Sequence, residues 1–285
     1  MRQRVARLVL TLLPQNKISS IIGKAGRSKL SKRYVKRYAK HYKINLSEIE
    51  KPIHEYAHLT EFFSRKLKED ARPICGDEMQ VISPVDGLVT QMGRIDKGTI
   101  IQAKGISYPV QKLLAEENKT GFESGHFITI YLSPKDYHRI HMPIKGEVYS
   151  STYIPGRLFP VNDIGVNHVK GLFTKNERVV TFAETDFGKL AIVKVGAFIV
   201  GSVKVKYDEK VRRWKKIMKT SVSPVVYEKG EEVGHFEFGS TVILLFEDRD
   251  FSFKPSLQVG SPLQMGEIIG QHPASSKKGK YSATI

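Results

Sequence analysis

The chain has 285 residues, which is enough for one large domain or two modest ones with a sizeable core. Its 40% hydrophobic and 26% charged content is ordinary for a folded soluble or peripheral protein, but its formal net charge of +17 favours an anionic partner such as nucleic acid, lipid headgroups or an acidic substrate. The single cysteine, Cys75, excludes an internal disulfide and fits a reducing, cytosolic environment.

The first 47 residues form a basic, amphipathic segment. They contain thirteen lysines and arginines and no acidic residue. Apolar side chains share one helical face within 5–13 and again within 30–38, and the stretch GKAG (23–26) separates the two, which predicts two short basic helices. Such helices lie in a membrane interface with their cations at anionic headgroups. A packed helix with a solvated basic face is the alternative. Nucleic-acid binding is less favoured, because the aromatic residues have helical spacing and form no stacking platform.

No segment has the pattern of a membrane span or a secretory signal. The apolar stretch at 5–13 is interrupted by Arg7, is stopped by Pro14 and is far shorter than the ~20 apolar residues that a spanning helix needs. No small-residue cleavage site follows it. We therefore expect a peripheral protein in which residues 1–70 form a basic helical docking region.

The remainder of the chain has the character of a β protein. A helix is predicted over 59–74, ended near Pro73, and β-branched runs bounded by turns follow it: HFITIYLS, RVVTFAE, KLAIVKVGAFIVGSVKVKY and STVILLF. The predicted fold is α+β, with a mainly antiparallel β barrel or sandwich core over 71–285 and N-terminal amphipathic helices. The turns SPVDGLV (83–89) and MPIKGEV (142–148) resemble each other, which indicates either an internal duplication or a coincidence.

Four residues have side chains suited to catalysis. Asp86 stands between a proline turn and a glycine. His138 and His141 are bracketed by prolines, and Ser240 directly precedes an apolar run. An imidazole oriented by a carboxylate can take the proton of a serine hydroxyl, so the set contains the parts of a nucleophilic site, although each residue alone also fits a turn, surface or core role. The histidines could instead ligate a metal, but an H-E-x-x-H pattern and a cysteine pair are absent, so we expect no metal site.

Seven stretches occur in a fixed order along the chain. They are LTEFFSRKLKEDARPI, SPVDG, YLSPKDYHRIHMP, IPGRLFPVN, LFTKNERVV, VGAFIVGSV and GHFEFGSTVILLF. Taken together they resemble the bacterial phosphatidylserine decarboxylases, from about residue 59 to 246 and more loosely to the C-terminus. The ordered set is specific, whereas Gly-Ser-Thr alone carries no signal. Phe238 stands where that family often has leucine, an apolar exchange that is not expected to affect the chemistry.

The resemblance implies that the protein makes its own cofactor. In the pattern of that family, Ser240 attacks the carbonyl carbon of Gly239, with His141 as the base and Asp86 orienting it, and the resulting ester then eliminates. The cleavage site is the Gly239–Ser240 bond. The long chain would end at Gly239, and the short chain, 240–285, would begin with a pyruvoyl group made from Ser240, so that the cofactor is covalent pyruvate.

The implied activity is the decarboxylation of phosphatidylserine to phosphatidylethanolamine. The pyruvoyl carbonyl would form a Schiff base with the substrate amine and serve as the electron sink when CO₂ leaves, and His138 would assist decarboxylation or reprotonation. The long and short chains would remain together as a heterodimer, which is also compatible with a homo-oligomer of heterodimers. The expected location is the cytoplasmic side of the cell membrane, on anionic phospholipid, with no nucleic-acid partner.

Two other interpretations stay open from the residues alone. A membrane-associated serine hydrolase would use Asp86, His141 and Ser240 as a triad and would remain one chain, although the G-x-S-x-G elbow is missing. A basic, non-enzymatic binding module would tolerate the loss of the Ser240 hydroxyl.

Overall fold

A computed structural model describes residues 15–103, 105–197, 203–208, 216–237 and 240–274. The helix predicted within 5–13 and the predicted cleavage partner Gly239 lie outside these ranges. The helices of the described residues are short, and three of the six α-helices precede residue 64. They are α1 (Gln15–Gly26), α2 (Val35–His41), α3 (Leu59–Phe63), α4 (Val110–Leu114), α5 (Asp163–His168) and α6 (Leu172–Lys175), with 3-10 helices at Lys29–Tyr34, Ile53–Glu55 and Glu69–Ala71. Within the described ranges, no helix combines the length and the apolar character needed to cross a bilayer.

Sixteen strands make up the body of the described chain. They are β1 (Gln80–Ile82), β2 (Gly87–Arg94), β3 (Thr99–Ala103), β4 (Ile106–Pro109), β5 (His126–Leu132), β6 (Arg139–His141), β7 (Gly146–Ile154), β8 (Arg178–Thr185), β9 (Gly188–Gly196), β10 (Val203–Val205), β11 (Met218–Tyr227), β12 (Glu232–Phe236), β13 (Ser240–Phe246), β14 (Ser252–Phe253), β15 (Pro262–Leu263) and β16 (Ile268–Gln271). Every pairing between them is antiparallel. The predicted α+β class, with a mainly antiparallel core and N-terminal helices, is therefore confirmed.

The largest sheet has eight strands in the order β11-β7-β8-β9-β13-β5-β2-β15. Strand β13 lies inside it, and all seven of its residues are buried. Val242 and Leu244 pack in the core on one face of the sheet, whereas Ile243 and Leu245 pack in the core on the other. Burial on both faces explains why this strand is an unbroken apolar run with no alternation.

A smaller sheet, β10-β12-β6, brings the histidine segment beside the chain that leads to Ser240. His141 in β6 lies opposite Glu232 in β12. The Phe236 amide at the end of β12 donates to the His138 carbonyl over 3.0 Å. These pairings bring together the two segments that the sequence analysis identified, although His141 and Ser240 are 99 residues apart in the sequence.

The N-terminal helices differ from the prediction in their boundaries. GKAG is not itself the break, because it forms the last residues of α1, and the break before the next helical segment falls at residues 27 and 28. The next segment begins as a 3-10 helix and becomes α2, in which Val35 and Ala39 are buried against a small cluster that contains Phe62. Leu30 on the same segment is 70% exposed. One face of this region is thus packed, as the alternative interpretation proposed, while another apolar face is open to solvent.

The helix predicted over 59–74 was wrong beyond Phe63, where α3 ends. The backbone that follows forms hydrogen bonds with an earlier loop: Lys68 N donates to Glu48 O over 2.8 Å, and Glu50 N donates to Lys66 O over 3.1 Å. Extended pairing of this kind uses the backbone groups that a helix would need. A tertiary contact therefore overrides a local helical pattern.

The two similar turn motifs pair with each other. His141 N donates to Pro84 O, and Ile82 N donates to Pro143 O; the donor–acceptor distance is 2.9 Å in both hydrogen bonds. Strands β2 and β7 each begin at the glycine of one motif. The two motifs are thus structurally equivalent turns that pack against each other. A duplication of the whole domain stays a prediction.

Candidate active site

Ser240 is the first residue of the central strand β13. It lies between Leu132 of β5 and Gly196 of β9, and none of its surface is exposed. Its Oγ is buried and has no hydrogen-bond partner among the described residues. Burying a hydroxyl without a partner costs about 1–3 kcal/mol, so this group needs an explanation, and a role in chemistry is one.

His138 is also completely buried, against the ring of Phe63 at a centroid distance of 4.0 Å. Its Nδ1 lies 2.9 Å from the carbonyl oxygen of Asp136. A carbonyl only accepts, so Nδ1 carries the proton and Nε2 carries the lone pair. Nε2 is buried without a partner in the described part of the chain, and burial lowers the pKa of His138 to about 3. The imidazole is therefore neutral at physiological pH.

His141 has both ring nitrogens engaged. Nδ1 lies 2.7 Å from the carbonyl oxygen of Gly230, which requires the proton on Nδ1. Nε2 lies 3.1 Å from the hydroxyl of Tyr137, which donates to it. Burial lowers the pKa of His141 below its ordinary value, so this ring too is neutral and basic at Nε2.

The carboxylate of Asp86 is held by an arginine. Arg72 forms a bidentate pair with it, with Nε 2.9 Å from Oδ1 and Nη2 2.6 Å from Oδ2, and the Met265 amide donates to Oδ1 over 2.8 Å. Among the described residues no hydrogen bond joins Asp86 to His141, or either histidine to Ser240. The backbone of His141 nevertheless contacts the Asp86 loop at Pro84. The structure thus brings the segments of the set together, and the relay between their side chains stays a prediction.

Three groups at this site were missed from sequence. Arg72 lies inside a family-like stretch, but nothing local distinguishes an arginine that binds a buried carboxylate from a solvated one. Tyr137 directly precedes His138, and its position beside a possible base was the one available signal. The carbonyl of Gly230 that fixes the His141 tautomer is a backbone group, so no side-chain pattern could reveal it.

Two cavities flank the segment that follows β5. One is apolar and has a volume of about 730 Å³. Its lining includes Leu132, which pairs with Ser240 across the sheet, and Ala197, which follows the other pairing partner of Ser240, Gly196. The other, about 520 Å³, has a mixed lining with several charged side chains and includes Asp86 and Tyr137. Both are lined by Tyr131. A site for an amphiphile needs such adjoining apolar and polar spaces.

Similarity to known proteins places the chain among enzymes of the decarboxylase class. The family described as phosphatidylserine decarboxylase matches residues 59–271. A phosphatidylserine decarboxylase proenzyme of Brevibacillus brevis is 48% identical over 268 residues, covering 92% of this chain and 96% of that protein. One of Myxococcus xanthus is 41% identical over 276 residues, with the same two coverages of 92% and 96%. The chain belongs to the phosphatidylserine decarboxylase family.

Proposed function

We propose that the protein decarboxylates phosphatidylserine to phosphatidylethanolamine, with a pyruvoyl group that it makes by cleaving itself between Gly239 and Ser240. Family membership supports the reaction. The buried Oγ of Ser240, which has no partner among the described residues and lies at the head of a central strand, is the observation that carries the self-cleavage. A strand held by two neighbours keeps residue 240 in place when the preceding bond breaks, so the resulting carbonyl group fits this position.

The cleavage is an internal acyl transfer. Ser240 Oγ attacks the carbonyl carbon of Gly239, its proton passes to His141, and the ester forms as the peptide C–N bond breaks and the amine takes that proton. A base then removes the α-proton of residue 240 as its Cβ–Oγ bond breaks, which releases the carboxylate of Gly239 and leaves a dehydroalanine that tautomerises to an imine. Water finally replaces the amine of residue 240, which departs as ammonia and leaves the keto group.

The roles of the other residues follow from their protonation. Nε2 is the basic nitrogen of His141, because Gly230 holds the proton on Nδ1. The Tyr137 hydroxyl occupies Nε2, so it must yield to the serine hydroxyl before proton transfer. For Asp86 to orient His141 directly, its carboxylate must exchange its Arg72 partner, and the Nδ1 proton of His141 must leave the Gly230 carbonyl. His138, neutral and with a free lone pair on Nε2, is suited to accept a proton and return it to the product carbon.

Once formed, the pyruvoyl carbonyl supplies an electron-withdrawing attachment point for the substrate amine. The chain's own residues place the lipid. The apolar cavity beside Ser240 suits an acyl region. The second cavity, which shares Tyr131, is lined by four cations and three carboxylates, and its excess of positive charge suits a phosphate: Lys43, Arg65, Arg72 and Lys135 against Glu48, Asp86 and Asp136. The exposed cations of the N-terminal segment would hold the enzyme on an anionic bilayer.

Loss of the hydroxyl tests the proposal directly. On a denaturing gel, the purified wild-type protein should run as two fragments, and the smaller should be blocked to Edman sequencing and lighter by one ammonia than the same fragment with an N-terminal serine. The variant Ser240→Ala should remain one chain without decarboxylase activity. His141→Ala and Asp86→Asn should slow splitting at least about a hundredfold, as expected for the loss of a base or its orienting group.

A matched control is Ser221→Ala, which removes a hydroxyl from the partly exposed edge strand β11. It should split and turn over like the wild type. An active, folded wild-type protein with an intact chain and an unmodified serine would contradict the proposal, and esterase activity from that intact chain would support the hydrolase instead.

A further inference from the structure

An ion pair connects the N-terminal basic segment (residues 1–47) to the part of the chain just before the proposed cleavage point. The Arg27 guanidinium, at Nη2, donates to Oε2 of Glu237. The two residues are 210 positions apart, and the first 47 residues contain no acid, so Arg27 has to take a carboxylate from a distant part of the chain. Glu237 directly follows β12 and stands three residues before Ser240.

Both partners are fixed by their surroundings. The Arg27 amide donates to Gly23 O over 3.2 Å at the end of α1. The hydroxyl of Ser31 donates to Gly26 O over 2.8 Å and accepts from the Leu59 amide over 2.9 Å, which ties the turn after α1 to α3. These contacts hold the backbone from which the Arg27 side chain extends.

The environment of Glu237 makes the pair more than a surface contact. Its side chain is only 11% exposed, whereas that of Arg27 is 44% exposed. The preceding residue, Phe236, is buried, and its backbone amide donates a hydrogen bond to the His138 carbonyl. A largely buried carboxylate that loses a cationic partner loses part of the compensation for its desolvation, and a second negative charge opposite it would push the segment away.

We propose that Arg27 is a positioning residue for self-cleavage, an inference that rests on the proposed function. Attack on a backbone carbonyl requires that the chain on both sides of the bond be held, since a displacement of about 1 Å can cost about a hundredfold in rate. Strands β5 and β9 hold the Ser240 side. The Arg27–Glu237 pair holds the other side, where the chain leaves β12, and so couples the N-terminal basic segment to processing.

A charge exchange tests this coupling. The rate of splitting is followed on denaturing gels after synthesis of the full chain in detergent without anionic lipid, so that membrane docking plays no part. Arg27→Glu and Glu237→Arg should each slow the splitting about tenfold. The double variant Arg27→Glu/Glu237→Arg, which restores an ion pair of opposite sense, should recover to within about threefold of the wild type.

Lys24→Glu is the matched control, because Lys24 is exposed in the last turn of α1, three residues before Arg27, and makes no ion pair in the described part of the chain. It should split at the wild-type rate, and Arg27→Lys should lose little. Melting temperatures of all variants on a Ser240→Ala background measure folding separately. Single variants that split normally would overturn the inference and leave self-cleavage intact, as would slowing that the double variant does not reverse. A wild-type chain that never splits would reject the proposed function itself.

Discussion

Lys194 is a fully buried lysine in the middle of the central sheet. It lies in β9 opposite Val242, and its side chain shares the face of Val242 and Ser240. Its Nζ donates to the hydroxyls of Thr181 and Tyr207, and no carboxylate pairs with it among the described residues. Desolvation lowers the pKa of Lys194 to about 7. The folded protein therefore holds this lysine with a substantial neutral fraction near pH 7, whereas the unfolded chain holds it charged.

Replacing Lys194 with methionine should stabilise the protein in a pH-dependent way. Between pH 7 and about 10.5 the unfolded state binds more protons at this site, so the stability of the wild type rises with pH across that window. Below pH 7 the full penalty applies, on the order of 5 kcal/mol from the lowered pKa, less the lost hydrogen bonds. Equilibrium unfolding of Ser240→Ala and Ser240→Ala/Lys194→Met should show a gain of a few kcal/mol at pH 6 that shrinks by pH 10.

The exposed Lys175 provides the control for that measurement. Lys175→Met removes the same charge from the surface and should change stability by less than about 0.5 kcal/mol at either pH. A Lys194→Met gain that is equal at pH 6 and pH 10 would mean that the lysine is charged in the fold at both.

The candidate residues could be chosen from sequence, but their contacts could not. Asp, His and Ser in turn-rich contexts indicate possible chemistry, and the structure places their segments side by side. The partner of Asp86 is nevertheless Arg72, and the His141 tautomer depends on a backbone carbonyl. Such partners are set by how distant segments pack, which periodicity and local spacing do not encode.

At the scale of elements, strands were predicted better than helices. A strand such as β13 is rich in β-branched and apolar residues and is bounded by turn residues, so it can be predicted from its local sequence without knowledge of its packing partners. The segment 59–74 has helical spacing for its whole length, yet it leaves the helix after Phe63 to pair with the loop at 48–50. Helical pattern is a weak guide where the backbone has a competing partner.

The N-terminal element should dock on anionic membranes through its exposed lysines. We expect that four substitutions to glutamine weaken binding to phosphatidylserine-containing vesicles roughly a hundredfold or more at low salt, since each cation near the surface contributes about 1 kcal/mol. The four positions are Lys29, Lys32, Lys36 and Lys40, all exposed. The loss should shrink at high salt because screening weakens the attraction for the wild type as well.

A matched set on the body of the protein separates docking from total charge. It consists of the exposed residues Lys97, Lys119, Lys170 and Lys254. Vesicle sedimentation of this second variant should resemble that of the wild type. Equal loss from both sets would show that binding follows net charge and that the N-terminal region is no special docking surface.

At the scale of the whole molecule, the proposed cut divides the chain but not the fold. The short chain would carry β13, β14, β15 and β16. Of these, β13 lies between β5 and β9, β15 pairs with β2, and β16 pairs with β1, so three of the four strands have a partner in the long chain, while β14 pairs with β16 inside the short chain. Both faces of β13 are packed in core clusters. Separating the chains would therefore expose the centre of the main sheet.

We expect the two fragments to elute together in native gel filtration and to separate only in denaturant. All seven residues of β13 are buried, and burial of one large apolar side chain is worth about 1.5–3 kcal/mol. The packing of this strand therefore holds the short chain in place without the peptide bond that joined it to the long chain. Unfolding in guanidinium should release both chains in one transition, whereas the uncut Ser240→Ala chain should unfold at a higher midpoint, since its two parts remain tethered. Release of the short fragment in native buffer would contradict the view that β13 remains an integral strand after cleavage.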